Sequence, residues 1–545
     1  MTLTATSTGL TPERLIFDLR AAGQPAISSD GSRVVYSLSA VDRETKQTTS
    51  HIWAIDIDGG NPVQLTFSGR TNGNPVWSPD GSRIAFVSRR DGKKPHAICT
   101  LPIGGGESRE VICHAASPSS LGWAPDGSSL AYTLPVDPDN PDENPIDDEA
   151  APGVRAFRRL DYKQDNRGYL YDKRLQVMVV DVESGERRQL TSALVDHTDP
   201  QWSPDGRQIA LKVLNRNGMH QQLAVMEVAI GDRTLVGDAD WTVGTFRWSR
   251  DGSYILFDGD EGNSAQTDYF RYDVASGTLH RLTTDLSFSP EAGYPTIGSP
   301  AQPVWVMDDV ALVHGVQAGA SGLWTVHARS GQTTEVARFE ATHSGLRVDG
   351  AGRYVAQTVS TPLGTGEIVV LDREAGTSRV VTHVNDAVFA QTPIGSFEKS
   401  SVERAGETID YWITYPPDFD ETRQYPVVLD VHGGPHGNFG YSFGKGAAVL
   451  AGTGIIVVSS NPRGSGTYGR RFANLVRGDW GGGDWLDVQA ALDAVLERPW
   501  ADADRTGIMG YSYGGFMTAW ALGHTDRFRA AVCGAPVFDL ESFYG

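Results

Sequence analysis

The most regular feature of the chain is an alternation of apolar and polar positions that is interrupted by Asp-Gly pairs. Segment 27–36 reads Ile-Ser-Ser-Asp-Gly-Ser-Arg-Val-Val-Tyr, and segment 77–86 repeats it as Trp-Ser-Pro-Asp-Gly-Ser-Arg-Ile-Ala-Phe. An Asp-Gly pair between two such segments is typical of a β-hairpin. Further copies begin at Trp123, Trp202 and Trp248, and a weaker copy occupies 348–350.

The spacing of these copies predicts a β-propeller. A second pair of strand signals lies between copies, for example 52–56 followed by 64–66, which gives four strands per unit. The turn aspartates at 30, 80, 126, 205 and 251 are separated by 50, 46, 79 and 46 residues. Three intervals fit one blade each, the fourth fits a blade with an insertion, and the 98 residues to Asp349 leave room for two blades. We expect about seven blades, with six or eight as alternatives; a β-solenoid or two sandwiches is the competing architecture.

The insertion in the long interval has an unusual composition. Residues 136–151 are rich in Asp, Glu and Pro, and residues 155–163 combine arginines with Phe157 and Tyr162. An acidic, Pro-rich segment buries little apolar surface, so we expect an exposed loop. The basic and aromatic segment fits either a solvated strand edge or the lining of a binding cavity.

The pattern changes near residue 396. Segments 425–431 and 455–458 are continuous apolar strands, and segment 484–498 carries an apolar stripe at helical spacing. Buried strands that alternate with helices indicate a parallel sheet covered on both faces. We therefore divide the chain into an N-terminal helical segment (1–20), a propeller (21–395) and an α/β domain (396–545), with the first helix beginning at Thr11-Pro12.

Composition limits the partners and the cellular compartment that we expect for this protein. The 545 residues include 67 acidic and 47 basic side chains, a formal net charge of −20, which argues against a nucleic-acid partner. Three cysteines suit a reducing compartment, and neither a signal peptide nor a membrane-length apolar run is evident. We expect a cytoplasmic protein without a membrane partner. The sequence shows no metal or cofactor motif. It does not determine the oligomeric state, and a homo-oligomer is one possibility.

The candidate chemistry begins at Gly510-Tyr511-Ser512-Tyr513-Gly514-Gly515, which follows an apolar segment and precedes a helix-like one. A serine on a sharp strand-to-helix bend needs small neighbours, which Gly510 and Gly514 supply. The bend exposes the Ser512 hydroxyl and directs the Tyr513 N–H toward a developing oxyanion. The sequence predicts Ser512 as a nucleophile; the alternative is a chance match in a Gly-rich chain.

A second loop, His432-Gly433-Gly434, follows the apolar strand 425–431. Ligands bind at the carboxyl ends of strands in open α/β sheets, so we expect the Gly434 N–H to be the second oxyanion donor. The alternative is that these glycines only form a tight turn. We reject His432 and His436 as general bases, because this loop approaches the serine from the wrong side, and expect His432 to brace the loop.

These motifs, together with Asn461-Pro-Arg-Gly-Ser-Gly466 and His524-Thr-Asp-Arg-Phe528, resemble the prolyl oligopeptidase family of serine peptidases, nearest its acylaminoacyl-peptidase and bacterial dipeptidyl-peptidase branch. The resemblance implies a propeller over an α/β-hydrolase domain, short peptide substrates and an acyl-enzyme on Ser512. It also implies an apolar substrate pocket formed by Val537, Leu540 and Phe543, whose alternative role is ordinary core.

The chain departs from this family after Ser512. The family's chain order is Ser, Asp, His, but the 33 residues that follow Ser512 offer only Asp526, Asp539 and His524. His524 lies twelve residues along a helix, about 18 Å from the hydroxyl. We therefore expect an incomplete hydrolase domain and little peptidase activity. A fragment, a truncated gene and a second chain that supplies the acid and base are the explanations.

Other functions compete with a peptidase that removes N-acylated residues or dipeptides. A carboxylesterase could use the same turn, although a propeller cap favours peptides. The third candidate is a propeller binding protein with a vestigial hydrolase domain. The sequence leaves open the residue preferred at the cleavage site and whether a free or a blocked N-terminus is bound.

Overall fold

The first large unit of the structure, a computed structural model, is a propeller of seven four-stranded blades. The structure describes residues 9–91, 95–140, 143, 157, 161–164, 168–215, 220–262, 267–290 and 301–544. In chain order and by blade, the strands are β1 (Ala21–Ile27), β2 (Arg33–Val41), β3 (Thr48–Asp56) and β4 (Val63–Gln64); β5 (Thr71–Trp77), β6 (Arg83–Arg89), β7 (His96–Pro102) and β8 (Arg109–His114); β9 (Ser119–Trp123), β10 (Ser129–Val136), β13 (Arg174–Asp181) and β14 (Arg187–Gln189), with an inserted hairpin of β11 (Lys163–Gln164) and β12 (Gly168–Tyr169); β15 (Asp196–Trp202), β16 (Gln208–Asn215), β17 (His220–Glu227) and β18 (Arg233–Val236); β19 (Thr242–Trp248), β20 (Tyr254–Asp260), β21 (Asp268–Asp273) and β22 (Thr278–Arg281); β23 (Val304–Met307), β24 (Val310–Gln317), β25 (Ala320–His327) and β26 (Thr333–Phe339); and β27 (Thr342–Val348), β28 (Tyr354–Thr361), β29 (Gly364–Asp372) and β30 (Thr377–Val380).

Each Asp-Gly pair forms the turn between the first two strands of a blade, as the alternation predicts. In the second blade the Ser78 hydroxyl donates to Asp80 over 2.5 Å, and the Gly81 N–H donates to the Ser78 carbonyl over 2.9 Å. Gly81 has φ +71°, in the left-handed region that favours glycine. These hydrogen bonds, led by that from Ser78, lower the pKa of Asp80 to about 2.

The seven blades close into a ring through apolar layers between neighbours. A buried cluster that includes Tyr36 and Ile55 of the first blade with Ile368 and Val370 of the seventh joins the two ends of the propeller. Tryptophans at the ends of the innermost strands tie blades together: the Trp77 indole N–H donates to the Ala26 carbonyl over 3.0 Å. The count of seven is confirmed, and the sixth blade, whose turn carries Asp308 and Asp309, is the one without a recognisable repeat.

The inserted acidic loop lies largely outside the described residues. Of the predicted loop, residues 136–140 and Glu143 are described, and of the basic and aromatic segment Phe157 and 161–163. Glu143 is anchored to the propeller, since its carboxylate lies 2.9 Å from His114 Nδ1 and 2.6 Å from the Arg187 guanidinium.

The second unit is a six-stranded sheet with helices against it. The sheet contains β31 (Phe397–Arg404), β32 (Glu407–Thr414), β33 (Tyr425–Val431), β34 (Ile456–Ser460), β35 (Ala501–Tyr511) and β36 (Ala530–Gly534). Its strand order is β31-β32-β34-β33-β35-β36, and the last four strands are parallel. The helices among the described residues of both units are α1 (Pro12–Phe17), α2 (Asp386–Gln391), α3 (Lys445–Gly452), α4 (Arg470–Asn474), α5 (Gly483–Leu496), α6 (Tyr513–His524) and α7 (Leu540–Tyr544).

The sequence locates these elements within a few residues. Thr11 caps α1, its hydroxyl accepting from the Arg14 N–H over 3.2 Å, but the helix ends at Phe17 rather than near residue 20. The apolar stripe of α5, including Val488 and Leu492, packs on the sheet with Leu429. None of the helices in the described ranges has the length and apolarity needed to cross a membrane.

The two units contact each other through the turns between the second and third strands of the blades. The Ala318 N–H donates to the Thr467 carbonyl over 3.0 Å, and the Phe443 N–H donates to the Ser360 hydroxyl over 3.0 Å. Backbone packs so closely here that a Cβ on Gly319 would lie 2.7 Å from the Phe439 carbonyl oxygen. This face of the propeller is therefore the one that covers the sheet.

Candidate active site

Ser512 lies on a strained turn between β35 and α6. Its backbone has φ +59° and ψ −117°, a combination that costs a non-glycine residue free energy. The turn is held by the Ser512 N–H, which donates to the Gly534 carbonyl over 2.9 Å, and by its carbonyl, which accepts the first helical hydrogen bond from Phe516. The side chain is partly exposed rather than buried in the core.

The glycines around Ser512 are required by close backbone packing. A Cβ on Gly510 would lie 2.4 Å from the Gly514 carbonyl carbon. A Cβ on Gly514 would lie 2.0 Å from the Val431 carbonyl oxygen, and one on Gly515 2.3 Å from the Gly534 carbonyl oxygen. All are distances that real Cβ atoms do not show, so the spacing of glycines seen in the sequence follows from α6 packing on its own turn and on the neighbouring strands.

The glycine loop after β33 lies beside Ser512. A Cβ built on Gly433 would be 3.5 Å from the Ser512 Cβ. Gly434 follows with φ +128°, and a Cβ on it would be 2.4 Å from the His436 N–H nitrogen. The loop therefore brings the backbone of Gly433 next to the serine, and it continues through Gly434 in a conformation that only glycine adopts easily.

His432 and His436 connect this loop to the loop 461–466. His432 Nδ1 donates to the Gly433 carbonyl over 2.8 Å, and its Nε2 lies 2.9 Å from the Ser465 Oγ. His436 Nδ1 donates to the Gly464 carbonyl over 2.8 Å. Burial lowers the pKa of His432 to about 4, so this ring is neutral at physiological pH. The prediction that His432 braces the loop is confirmed.

Sequence reasoning missed two buried carboxylates on α5 that support the site. The Tyr513 hydroxyl donates to Asp484 over 2.5 Å, and Asp484 also accepts from the Gly481 and Trp485 N–H groups. Burial is the main cause of the raised pKa of Asp484. Asp487 accepts from the Arg463 side chain over 2.7 Å. The signal was available, since both aspartates occupy the apolar face of an otherwise regular amphipathic helix.

No histidine reaches the Ser512 hydroxyl. All thirteen histidines belong to the described ranges, and none of them forms a hydrogen bond with that hydroxyl. His524 sits at the opposite end of α6, where its Nδ1 donates to the Trp520 carbonyl over 2.7 Å and its ring stacks on that indole. This agrees with the expectation drawn from helix length.

The residues expected to form a substrate pocket lie beyond β36. Val537 is half-buried, whereas Leu540 and Phe543, both on α7, are 48% and 73% exposed. Val532 of β36 is 67% exposed. The pocket assignment stays a prediction.

A serine on a glycine-lined bend between a parallel strand and a helix, beside a glycine loop from the adjacent strand and under a propeller, defines the class of the protein. It is an α/β-hydrolase with a propeller cap.

Comparisons with known proteins support this class and give the family. A profile of the prolyl oligopeptidase family matches residues 441–545. The uncharacterized peptidase YuxL of Bacillus subtilis is 30% identical over 96% of this chain and 81% of its own length. Dipeptidyl-peptidase 5 of Porphyromonas endodontalis is 25% identical over 99% of this chain and 80% of its own. Uncomplexed acylaminoacyl peptidase of Pyrococcus horikoshii shares the fold, with a TM-score of 0.78 at 20% identity over 97% of this chain and 79% of that one. The chain belongs to the prolyl oligopeptidase family of serine peptidases.

Proposed function

We propose that this protein hydrolyses short peptides through an acyl-enzyme formed on Ser512, as an acylaminoacyl peptidase or a dipeptidyl peptidase. The observation that carries the proposal is the left-handed Ser512 turn beside the Gly433–Gly434 loop. The relatives named for these two activities, which share most of their length with this chain, support the substrate class. The propeller over the sheet favours peptides rather than large folded proteins.

The backbone N–H groups of Gly434 and Tyr513 are proposed to hold the oxyanion. Removing one donor of this kind costs about 3 kcal/mol of transition-state stabilisation. Asp484 would contribute indirectly by fixing the Tyr513 side chain, and hence the first turn of α6. Val537, Leu540 and Phe543 are proposed as walls of the pocket for the residue before the cut.

The acid and the base are proposed to come from polypeptide outside these 545 residues. None of the thirteen histidines is hydrogen-bonded to the Ser512 hydroxyl, and β36 and α7 expose apolar side chains that include Val532 and Phe543. A further segment packed on that surface would cover it and could carry both groups.

We further propose the domain division 1–20, 21–395 and 396–545, and a reducing, cytoplasmic setting in keeping with the free cysteines 99, 113 and 533.

The nucleophile and the missing base can be tested together by chemical rescue. The 545-residue chain is treated with a fluorophosphonate probe, with and without added imidazole, and labelling is read by intact mass and peptide mapping. We expect weak labelling alone, because losing a triad member removes most of the rate, and several-fold stronger labelling of Ser512 with imidazole.

Ser512→Ala should abolish the labelling, whereas Ser542→Ala, at an exposed serine of α7, should not. Strong labelling without imidazole would show that a base is already present. Labelling that survives Ser512→Ala would show that another residue is the nucleophile. Digestion of a peptide library, read by mass spectrometry, would then separate the two substrate classes by the N-terminus that each requires.

A further inference from the structure

Two arginines occupy an unusual position on the innermost strands of the propeller. Near its end, the innermost strand of every blade has a residue that pairs with the beginning of the second strand, as Trp248 pairs with Ile255 and Val348 with Val355. We compare the residue directly before this one in all seven blades. This preceding position is uncharged in five blades, at residues 26, 76, 122, 201 and 304, and is Arg247 in the fifth blade and Arg347 in the seventh.

Both arginine side chains reach solvent from inside the ring. Phe246 and Trp248 on either side of Arg247 are buried in the layers between blades, as is Leu346 before Arg347, yet both arginines are exposed. An exposed side chain on an innermost strand faces the central channel. The innermost strands begin at the end of the channel nearer the hydrolase sheet. Each arginine lies five residues beyond the start of its strand, so both lie roughly 16 Å along the channel from that end.

Neither guanidinium has a carboxylate partner among the described residues. Arg347 donates to the Leu346 carbonyl over 2.8 Å, and Arg247 forms no hydrogen bond within the same ranges. Lys212 of the fourth blade shows the contrast, since its ammonium lies 3.0 Å from Asp199 and 2.8 Å from the Gly244 carbonyl.

The two charges also act on each other. The protein packed around the channel lowers the pKa of both arginines, and the charge of Arg247 further lowers the pKa of Arg347, which falls to about 10. Both remain cationic at neutral pH. Two uncompensated positive charges held together in a chain of net charge −20 form a site for an anion.

The chemistry of the pair favours a carboxylate. Guanidinium groups present paired N–H donors that match the two oxygens of a carboxylate or those of a phosphate. Every peptide with a free C-terminus carries a carboxylate, and a peptidase that cuts near the N-terminus leaves the remainder of its substrate extending away from the serine. We propose that Arg247 and Arg347 bind the C-terminal carboxylate of peptides that thread the propeller channel, an inference that rests on the function proposed above.

Binding to the Ser512→Ala chain tests this proposal without turnover. A ten-residue peptide with neutral side chains, about 33 Å long when extended, is titrated by calorimetry at low salt as its free acid and as its C-terminal amide. We expect the acid to bind about tenfold more tightly than the amide. Arg247→Gln/Arg347→Gln should bind both forms as weakly as the amide.

The matched control is Arg188→Gln/Arg379→Gln, which removes the same charge from exposed positions on the outermost strands β14 and β30 and should keep the preference. If the Ser512→Ala protein binds the acid and the amide equally tightly, the proposed carboxylate site is wrong, and this result does not depend on the arginine variants. If the two peptides bind equally and inorganic phosphate binds at the two arginines, the pair is a site for a free anion, and the proposal of a peptide carboxylate site is again wrong. Failure of both peptides to bind contradicts the peptide substrate class itself.

Discussion

At the scale of single residues, backbone packing fixes the identity of the glycines around Ser512. The turn brings α6 against β33 so closely that the Cα of Gly514 faces the Val431 carbonyl without room for a methyl group. The same helix contains Gly523, whose added Cβ would meet no atom within 4 Å. Within one helix, packing therefore requires glycine at residue 514 but not at residue 523.

Alanine substitutions at these two glycines should have opposite effects. Gly514→Ala forces the strand and helix apart, and we expect it to lower the free energy of unfolding by at least about 2 kcal/mol. Gly523→Ala should raise it by about 0.5–1 kcal/mol, because alanine favours helix. Urea denaturation followed by circular dichroism measures both. A Gly514→Ala protein as stable as the parent would mean that this packing is wrong.

At the scale of elements, the propeller depends on contacts that tie each innermost strand to the blade before it. The indole N–H groups of Trp77, Trp123 and Trp248 donate to carbonyls of the preceding blade over 3.0–3.1 Å. The equivalent Trp202 N–H is buried and has no partner among the described residues. The repeated tryptophan is therefore a packing residue in every copy and a hydrogen-bond donor only in some.

This difference predicts different costs for the same substitution. Trp77→Phe removes a hydrogen bond that the Ala26 carbonyl accepts, whereas Trp202→Phe removes an N–H that has no partner among the described residues. Because the loss of ring volume is similar, we expect Trp77→Phe to be more destabilising by about 1 kcal/mol. Thermal and urea unfolding of the two variants supply the comparison, and equal costs would remove the energetic role of this hydrogen bond.

At the scale of the whole molecule, charged residues help to join the propeller to the hydrolase sheet. Arg470 of α4 lies 3.1 Å from the carboxylate of Asp268, which is 1% exposed, and 3.1 Å from that of Asp285. Arg281 of the propeller shares Asp268. A buried carboxylate that loses one of two cationic partners is costly, because its remaining charge is poorly solvated.

Arg470→Ala should therefore loosen the contact between the two units. We expect faster hydrogen exchange in peptides that cover 318–320 and 439–441, where the two backbones meet. The neighbouring Arg471 pairs with Glu407 inside the hydrolase unit and is exposed, so Arg471→Ala should leave exchange there unchanged. Equal exchange in both variants would show that apolar and backbone contacts alone hold the interface.

The sequence by itself determined the repeated unit, the count of seven blades within one, the strand that precedes Ser512 and the two glycine motifs. These are local properties, since hydrophobic period, turn chemistry and the need for glycine are each fixed by a few neighbouring residues. Only the tertiary structure revealed the Asp484–Tyr513 contact, the Ser465 partner of His432, and the placement of Arg247 and Arg347 on innermost strands that line the same channel. These residues lie far apart in the chain, 29 residues for the first pair and 100 for the arginines, and closure of the ring and packing of α5 on the sheet bring them together.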